Sequence, residues 1–442
     1  MMPDMEHESL ASRRSFLGAA TGVALAAGAQ AVAAQEKLSP VRVAVIGTGG
    51  RGSDLLRSLT TIQGVDLIGV CDDYPPHLAN GAKYAGPQAK TYDDYRRMLA
   101  ELRPQAVVVA VPLVSHYAIV RDALDVGCDV FCEKTMCYTV DEARKLVKQV
   151  DESKRVFQVG LQRRANPIYR QAAAMVQAGV LGPVTAIKCQ WHRNNNWRRP
   201  VPVPKGDPAW AALERKLNWR LYRESSGGLM AELGSHQLDV ANWVLGCTPR
   251  RVMATGGVDY WRDGRDVPDN VFCVYEYEVT PPRGLSLPGS DPSSSPATYT
   301  VRVTYSSICN NAYEGASELI MGTKGSLYLT STKGLFYRER TADDIGWSKR
   351  PREGADEDAS IITSGKTLKL SNSPWAHRGE PLEIDNLIGD DTRDELVSFV
   401  DHVRRQDVKT ICDVHEGLRD TATVMMANEA MTCGKTVAYP VA

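Results

Sequence analysis

Val41-Arg42-Val43-Ala44-Val45-Ile46-Gly47-Thr48-Gly49-Gly50-Arg51-Gly52 decides the fold. Its first half is a β-rich, mostly apolar run, and its second half reads G-x-G-x-x-G. A helical segment follows from about Ser53 to Thr61, with Leu55, Leu56 and Leu59 on one side. A second apolar strand, Val65 to Cys71, ends at Asp72-Asp73. Strand, glycine turn, helix, strand and acid, in that order, make a dinucleotide-binding βαβ unit. Gly47 permits the tight turn, Gly49 lets the backbone approach a pyrophosphate, and Gly52 lets helix and strand pack closely; Thr48, Gly50 and Arg51 complete the loop. The helix N-terminus offers free N–H groups and a partial positive charge to the phosphates. Asp72 lies twenty residues beyond Gly52, where a carboxylate accepts both ribose hydroxyls and repels a 2′-phosphate. NAD is therefore the expected cofactor, with NADP as the alternative.

The alternation continues downstream. Ala106–Val111 is an apolar strand closed by Pro112, and Ser115–Val126 is an amphipathic helix with Ile119, Ala123 and Val126 on one face. Cys128–Cys132 is a short strand ending at Glu133-Lys134, Thr139-Val140-Asp141-Glu142 is a capping box opening a helix to about Ser153, and Val156–Gly160 is a further strand. Strands alternating with helices predict a doubly wound parallel sheet, with ligands beyond its C-terminal strand ends. Pro112, His116, Glu133, Lys134 and Gln162 fall at or just past such ends.

The chain has 442 residues, too many for one ordinary core, so two domains are expected. With 43% apolar and 24% charged residues it is globular, and a formal charge of −1 excludes a globally basic nucleic-acid binder. Ten cysteines lie scattered without CxxC pairs or zinc spacing, so no metal is expected and mostly buried thiols are. At the N-terminus, Ser12-Arg13-Arg14-Ser15-Phe16-Leu17 is a twin-arginine pattern, followed by an Ala/Gly stretch from Gly18 to Ala29 and a small-x-small site, Ala31-Val32-Ala33. That layout predicts a Tat export signal over residues 1–34 and a periplasmic or secreted protein; the run is too weakly apolar for a stable membrane anchor. The nucleotide-binding domain is expected over 38–162 and an α+β substrate domain over 163–442.

The glycine loop, Val111-Pro112 with His116, Phe131-Cys132-Glu133-Lys134, and the segment Gly227-Gly228-Leu229-Met230-Ala231-Glu232-Leu233-Gly234-Ser235-His236-Gln237-Leu238-Asp239 together resemble the Gfo/Idh/MocA family of nicotinamide-dependent oxidoreductases. Paired with an export signal, the pattern is similar to the glucose–fructose oxidoreductases and to the NAD-dependent glycoside hydrolases of the same fold. The resemblance implies that Lys134 and His236 flank the reacting carbinol. It also implies a homo-oligomer, dimer or tetramer, built on a large open-faced C-terminal sheet. Two positions depart from the family pattern: Thr135 follows Lys134 where proline is usual, and Glu232 stands where aspartate is often found.

Oxidising a sugar hydroxyl needs a base for its proton and a positive donor near the oxygen. Ser235–Leu245 reads as a helix on which His236 and Asp239, three apart, share a face. The expectation is that His236 is the acid/base, that Lys134 assists at the same oxygen, that Asp239 holds or polarises substrate, and that Glu232 orients His236 or touches substrate. Between the domains, the Trp191–Pro200 run and Asn218-Trp219-Arg220-Leu221-Tyr222 combine aromatic rings with Asn and Arg. They suit a sugar, polyol or glycoside pocket, so His192, Asn194, Trp197, Trp219, Arg220 and Tyr222, with Arg163, are candidate substrate contacts.

In the second domain Val184–Trp191, Arg251–Gly257, Val271–Val279, Tyr299–Ser306, Leu319–Met321 and Ser326–Thr330 are strand candidates for a mostly antiparallel sheet. Residues 281–297 read as a loop and 341–386 as an irregular insertion; Thr392-Arg393-Asp394-Glu395 caps a helix to about Arg405, and Val414 to about Cys433 is the last helix. An exported enzyme meets no cytosolic NAD pool, so a tightly held cofactor is expected. Three functions fit: a sugar oxidoreductase, a redox-neutral glycosidase acting through a transient ketone, and a secreted carbohydrate-binding protein.

Overall fold

Six short apolar segments pair as parallel strands: β1 (Val41–Ile46), β2 (Val65–Cys71), β3 (Lys90–Tyr92), β4 (Ala106–Val109), β5 (Asp129–Glu133) and β6 (Phe157–Gly160), in the order β3-β2-β1-β4-β5-β6. The computed structural model describes residues 39–281, 298–339 and 389–440, with the backbone of three short strands between the last two stretches. The segment read as an export signal, residues 282–297 and most of 341–386 lie outside the described residues. Helices α1 (Gly50–Leu59), α2 (Pro75–Ala85), α3 (Tyr95–Leu102), α4 (His116–Asp125) and α5 (Val140–Ser153) connect the strands. Both faces are covered, which is why β4 and β5 are buried throughout. Thr139 and Glu142 close the capping box as expected. The strand order reverses between β1 and β4, and a crevice opens there beyond the strand ends.

Beyond α6 (Pro167–Gln177) the chain builds a second sheet from β7 (Val184–Asn194), with α7 (Trp210–Leu217) and α8 (Ser235–Leu245) interposed before β8 (Pro249–Gly257), β9 (Asn270–Val279), β10 (Tyr299–Ile308), β11 (Asn310–Gly322), β12 (Gly325–Thr330) and β13 (Lys333–Arg338). β14 (Ser360–Thr363) and β15 (Lys366–Lys369) pair only with each other. After β16 (Glu380–Pro381) come α9 (Asp391–Arg405), α10 (Val414–Cys433) and β17 (Val437–Ala438). The nine-stranded sheet runs β16-β13-β12-β11-β7-β10-β9-β8-β17, antiparallel except for the β7–β10 pair. Residues of α6, α8 and α10 share one core with this sheet, including the fully buried Tyr169, Tyr275, Tyr277 and Tyr305. All ten cysteines are unpaired and most are buried.

Two expectations need correction. The second domain does not hold everything after residue 163: Leu396, Phe399, Val400 and Val403 of α9 sit in one core with Val41, Val43 and Val45 of β1, and Phe399 meets Phe131 edge-on at 5.7 Å. The cap of α9 is Asp390, which accepts from the Thr392 and Arg393 N–H groups. Thr392 lies inside the helix, and its hydroxyl is free to accept from Arg51 at 2.9 Å.

Candidate active site

The glycine loop has the geometry its composition demands. Gly47 adopts φ +88°, and a Cβ there would lie 2.4 Å from the Ala110 carbonyl oxygen. A Cβ at Gly52 would lie 1.9 Å from the Gly47 oxygen, so only glycine lets α1 press on the loop. Gly49 caps α1 without any side-chain hydrogen bond, which leaves the first-turn N–H groups for a ligand. Asp72, at the end of β2, accepts from the Thr48 N–H at 2.7 Å and from the Tyr74 N–H at 2.9 Å. Gly47, Gly49, Gly50, Arg51 and Asp72 all line a cleft of about 900 Å³ that continues past Pro112, His116, Glu133, Lys134 and Gln162 to Glu232 and His236. An uncapped helix end, a loop closed to a Cβ at Gly47 and Gly52, and the Asp72 carboxylate in one cleft fit a dinucleotide.

At the far end of the cleft, a π-helical turn, Met230–Gly234, feeds directly into α8 and delivers Glu232 and His236 to one wall. Such turns recur at functional sites because they re-aim side chains within a helix. Lys134 reaches across from the end of β5, its Nζ donating to the Glu232 carbonyl at 2.9 Å. Thr135, where the family usually has proline, ties the same turn down: its hydroxyl donates to the Ala231 carbonyl at 3.1 Å, and its carbonyl faces His116 Nδ1 at 3.0 Å. His236 stacks at a tilt on Trp191, centroids 5.4 Å apart, and its buried Nδ1 has no partner among the described residues. Burial, then the charges of Lys134, Arg163, Arg51 and Arg193, push its pKa well below the ordinary imidazole value, so the folded ring is neutral near pH 7. Glu232 is not hydrogen-bonded to His236; its carboxylate accepts from Arg220 Nε at 2.7 Å. Burial alone would raise that carboxyl, but Arg220 and Lys134 outweigh it and hold it below its usual range.

Other positions serve the frame of the cleft. Arg51 donates to Glu133 at 2.6 Å and to Glu395 of α9 at 2.9 Å, so it clips the glycine loop to two carboxylates. Burial opposes the Arg51 charge, but Glu133 and Glu395 hold its pKa above the ordinary value. Gln162 faces Arg51, Asp391 and Thr392. Asp239 is placed otherwise than expected. It is 1% exposed, absent from the cleft lining, and bound through both oxygens to Arg164 at 2.7–3.1 Å.

The substrate-contact candidates divide. Trp197, Trp219 and Arg220 line the cleft; Arg163, His192, Asn194 and Tyr222 do not. Strand parity explains two of the absences. On β7, Trp191 and Arg193 share the cleft-facing side, so His192 and Asn194 point to the opposite face. His192 there meets Ser306 Oγ at 2.9 Å and the Tyr313 carbonyl at 3.0 Å. Tyr222 is buried and donates to Glu214 at 2.7 Å, and Arg163 is buried with its guanidinium over the Tyr169 ring. Trp191, Arg193 and Arg199 are cleft-lining residues that were not among the candidates; counting alternate residues from Trp191 would have found Arg193.

Family models match both halves: "Oxidoreductase family, NAD-binding Rossmann fold" over residues 41–161 and "Oxidoreductase family, C-terminal alpha/beta domain" over 173–439. The chain belongs to the Gfo/Idh/MocA oxidoreductase family. Within that family it is 28% identical to inositol 2-dehydrogenase of Burkholderia multivorans over 208 residues, which cover 47% of this chain and 55% of that one. It is 29% identical to D-glucoside 3-dehydrogenase of Escherichia coli over 209 residues, again 47% and 55%. The matched region thus spans about half the length of these Gfo/Idh/MocA relatives. The fold is similar to that of levoglucosan dehydrogenase in complex with NADH, with a TM-score of 0.64 at 16% identity, covering 91% of this chain and all of the other. No helix among the described residues is long and apolar enough to cross a membrane.

Proposed function

We propose that the protein oxidises a sugar or polyol hydroxyl with NAD. The observation that carries this reading is that Lys134 and His236, the latter tilted on Trp191, line one end of a cleft whose other end is the glycine loop. When bound, NAD supplies the acceptor for the hydride that leaves the carbinol carbon. His236 takes the hydroxyl proton as that hydride departs, a role its lowered pKa suits because the ring begins unprotonated. The Lys134 ammonium stabilises the oxygen as it gains negative charge, held in place by the Glu232 carbonyl. The dehydrogenase relatives support a polyol or glycoside as substrate.

The test is to incubate purified protein with NAD and a panel of inositols, glucosides and aryl glycosides. NADH formation with at least one of them is expected. Phenol release without net NADH would favour redox-neutral cleavage instead, and neither signal would overturn the enzyme reading. We infer further that residues 1–34 direct export with the nucleotide retained, and that the open face of the large sheet mediates self-association. Mass spectrometry of nucleotide released on denaturation, cell fractionation and light scattering check these in turn; a free, cytoplasmic, monomeric chain overturns all three.

Asp72 sets the choice between NAD and NADP. Its carboxylate, fixed by Thr48 and Tyr74, would face a 2′-phosphate as like charge. Asp72→Ser is expected to raise the NADP/NAD ratio of kcat/KM by about 10- to 100-fold, since like-charge juxtaposition costs several kcal/mol. An unchanged ratio would remove Asp72 from cofactor selection.

A further inference from the structure

Arg193 lines the cleft near His236 with its charge unpaired among the described residues. It projects from β7 on the same side as Trp191, and its guanidinium lies over two indoles, 5.5 Å from the Trp191 centroid and 4.6 Å from the Trp197 centroid. Among the described residues its guanidinium has no hydrogen bond and no ion pair. The other cations around it are accounted for. Arg220 is paired with Glu232 at 2.7 Å, and Lys134 donates to the Glu232 carbonyl at 2.9 Å. Among the described residues of this part of the lining, Glu232 is set against Lys134, Arg193 and Arg220, and the neighbouring Glu133 is already paired with Arg51. A guanidinium held over two indole rings, with no hydrogen bond of its own among the described residues, still has its N–H groups to offer a ligand.

We propose that the substrate bears an oxyanion, a carboxylate or a phosphate, which Arg193 grips through its N–H fork while His236 and Lys134 attend the reacting hydroxyl. Three features on the page converge on this. The guanidinium is half-buried and stacked, so holding it for solvent alone gains nothing. It faces the same cleft as His236, linked through Trp191, whose ring touches both. The cations around the reacting end outnumber the carboxylates, which favours an anionic guest and steers it there. Arg–carboxylate and Arg–phosphate forks are among the stronger, orientation-fixing hydrogen bonds, so such a grip would also decide which hydroxyl is presented to His236. The proposal rests on the oxidoreductase reading for the identity of the reacting groups, but not for the binding preference itself.

The experiment therefore reads binding, not turnover. NADH-loaded protein is titrated with glucose, glucuronate, gluconate and glucose 6-phosphate, followed by tryptophan fluorescence from the Trp191–Trp197 pair and confirmed by calorimetry. At least one anionic probe is expected to bind about 10- to 100-fold more tightly than glucose, the range for a hydrogen bond to a charged group. The uronate and aldonate arms against the phosphate arm identify the oxyanion. Arg193→Gln should abolish the preference while leaving NADH binding unchanged, and Arg193→Lys should retain part of it. Glucose binding as tightly as every anionic probe overturns the proposal from the wild-type protein alone, as does an Arg193→Gln variant that keeps the full preference. If the anionic probes bind as expected yet no sugar ever yields NADH, the oxidoreductase reading fails and the anion site stands.

Discussion

His236→Ala should lower kcat by about 10²- to 10⁴-fold, the usual contribution of a positioned acid/base, or roughly 3–5 kcal/mol of barrier. NADH affinity and thermal midpoint should change little, because the ring makes no hydrogen bond that the fold depends on and its Nδ1 is unpartnered. The pH profile adds a second readout. Burial and four nearby cations press the His236 pKa well below 6.5, so the base stays unprotonated as pH falls through the ordinary imidazole range. Activity in the oxidation direction should accordingly persist below that range and fail only at lower pH. Lys134→Met removes one of the cations, so the His236 pKa should rise and the acid limb should move to higher pH, alongside the loss in kcat from the missing charge at the oxygen. Near-full turnover in folded, NADH-binding His236→Ala protein would exclude this histidine from the chemistry.

Much of the fold was legible because it is written in local chemistry. Only glycine fits at Gly47 and Gly52, and buried parallel strands flanked by helices must be continuously apolar, so β1, β2, β4 and β5 announce themselves. β3 does not, because its three residues are too few to show any period. β11 runs from Asn310 to Gly322, but its first five residues are exposed, so only the apolar end around Leu319–Met321 reads as strand. At the site, Lys134, Glu232 and His236 could be placed by the segments that carry them, and all three line the cleft. The misplacements arise where the deciding fact is orientation or a distant partner. His192 and Asn194 have suitable chemistry but the wrong strand parity. Tyr222 and Asp239 are taken by Glu214 and Arg164, residues whose proximity no local pattern reveals. Likewise Arg51 sits within the nucleotide motif, yet its guanidinium is bound to Glu395, 344 positions away.

Arg164→Leu should destabilise the protein by about 3–5 kcal/mol, the range for removing one partner of a buried ion pair, seen as a lower denaturation midpoint. Arg164 is 7% exposed and Asp239 1%, and three N–H···O contacts of 2.7–3.1 Å join them in a two-oxygen fork. The same guanidinium reaches Glu416 of α10 at 2.8 Å and lies over the Trp243 ring at 5.4 Å. Burial works against its charge, but Asp239 and Glu416 hold the Arg164 pKa above the ordinary value. One side chain thus ties the turn after β6, helix α8 and helix α10, the elements behind His236. Without it, Asp239 would be a buried carboxylate with no counter-charge, within the electrostatic reach of Asp420, whose two oxygens already lack hydrogen-bond partners among the described residues. The comparison of Asp239→Asn with Arg164→Leu separates a structural role from substrate binding. If Asp239 served the substrate, Asp239→Asn would raise KM at unchanged stability; in the observed geometry it weakens the fork, and stability should fall first. The double variant Arg164→Leu/Asp239→Leu should recover much of the loss, because replacing both partners with apolar groups removes the stranded charge as well as the pair. A double variant no more stable than Arg164→Leu alone would mean that the lost packing on Trp243 and the Glu416 contact, not the stranded carboxylate, set the cost.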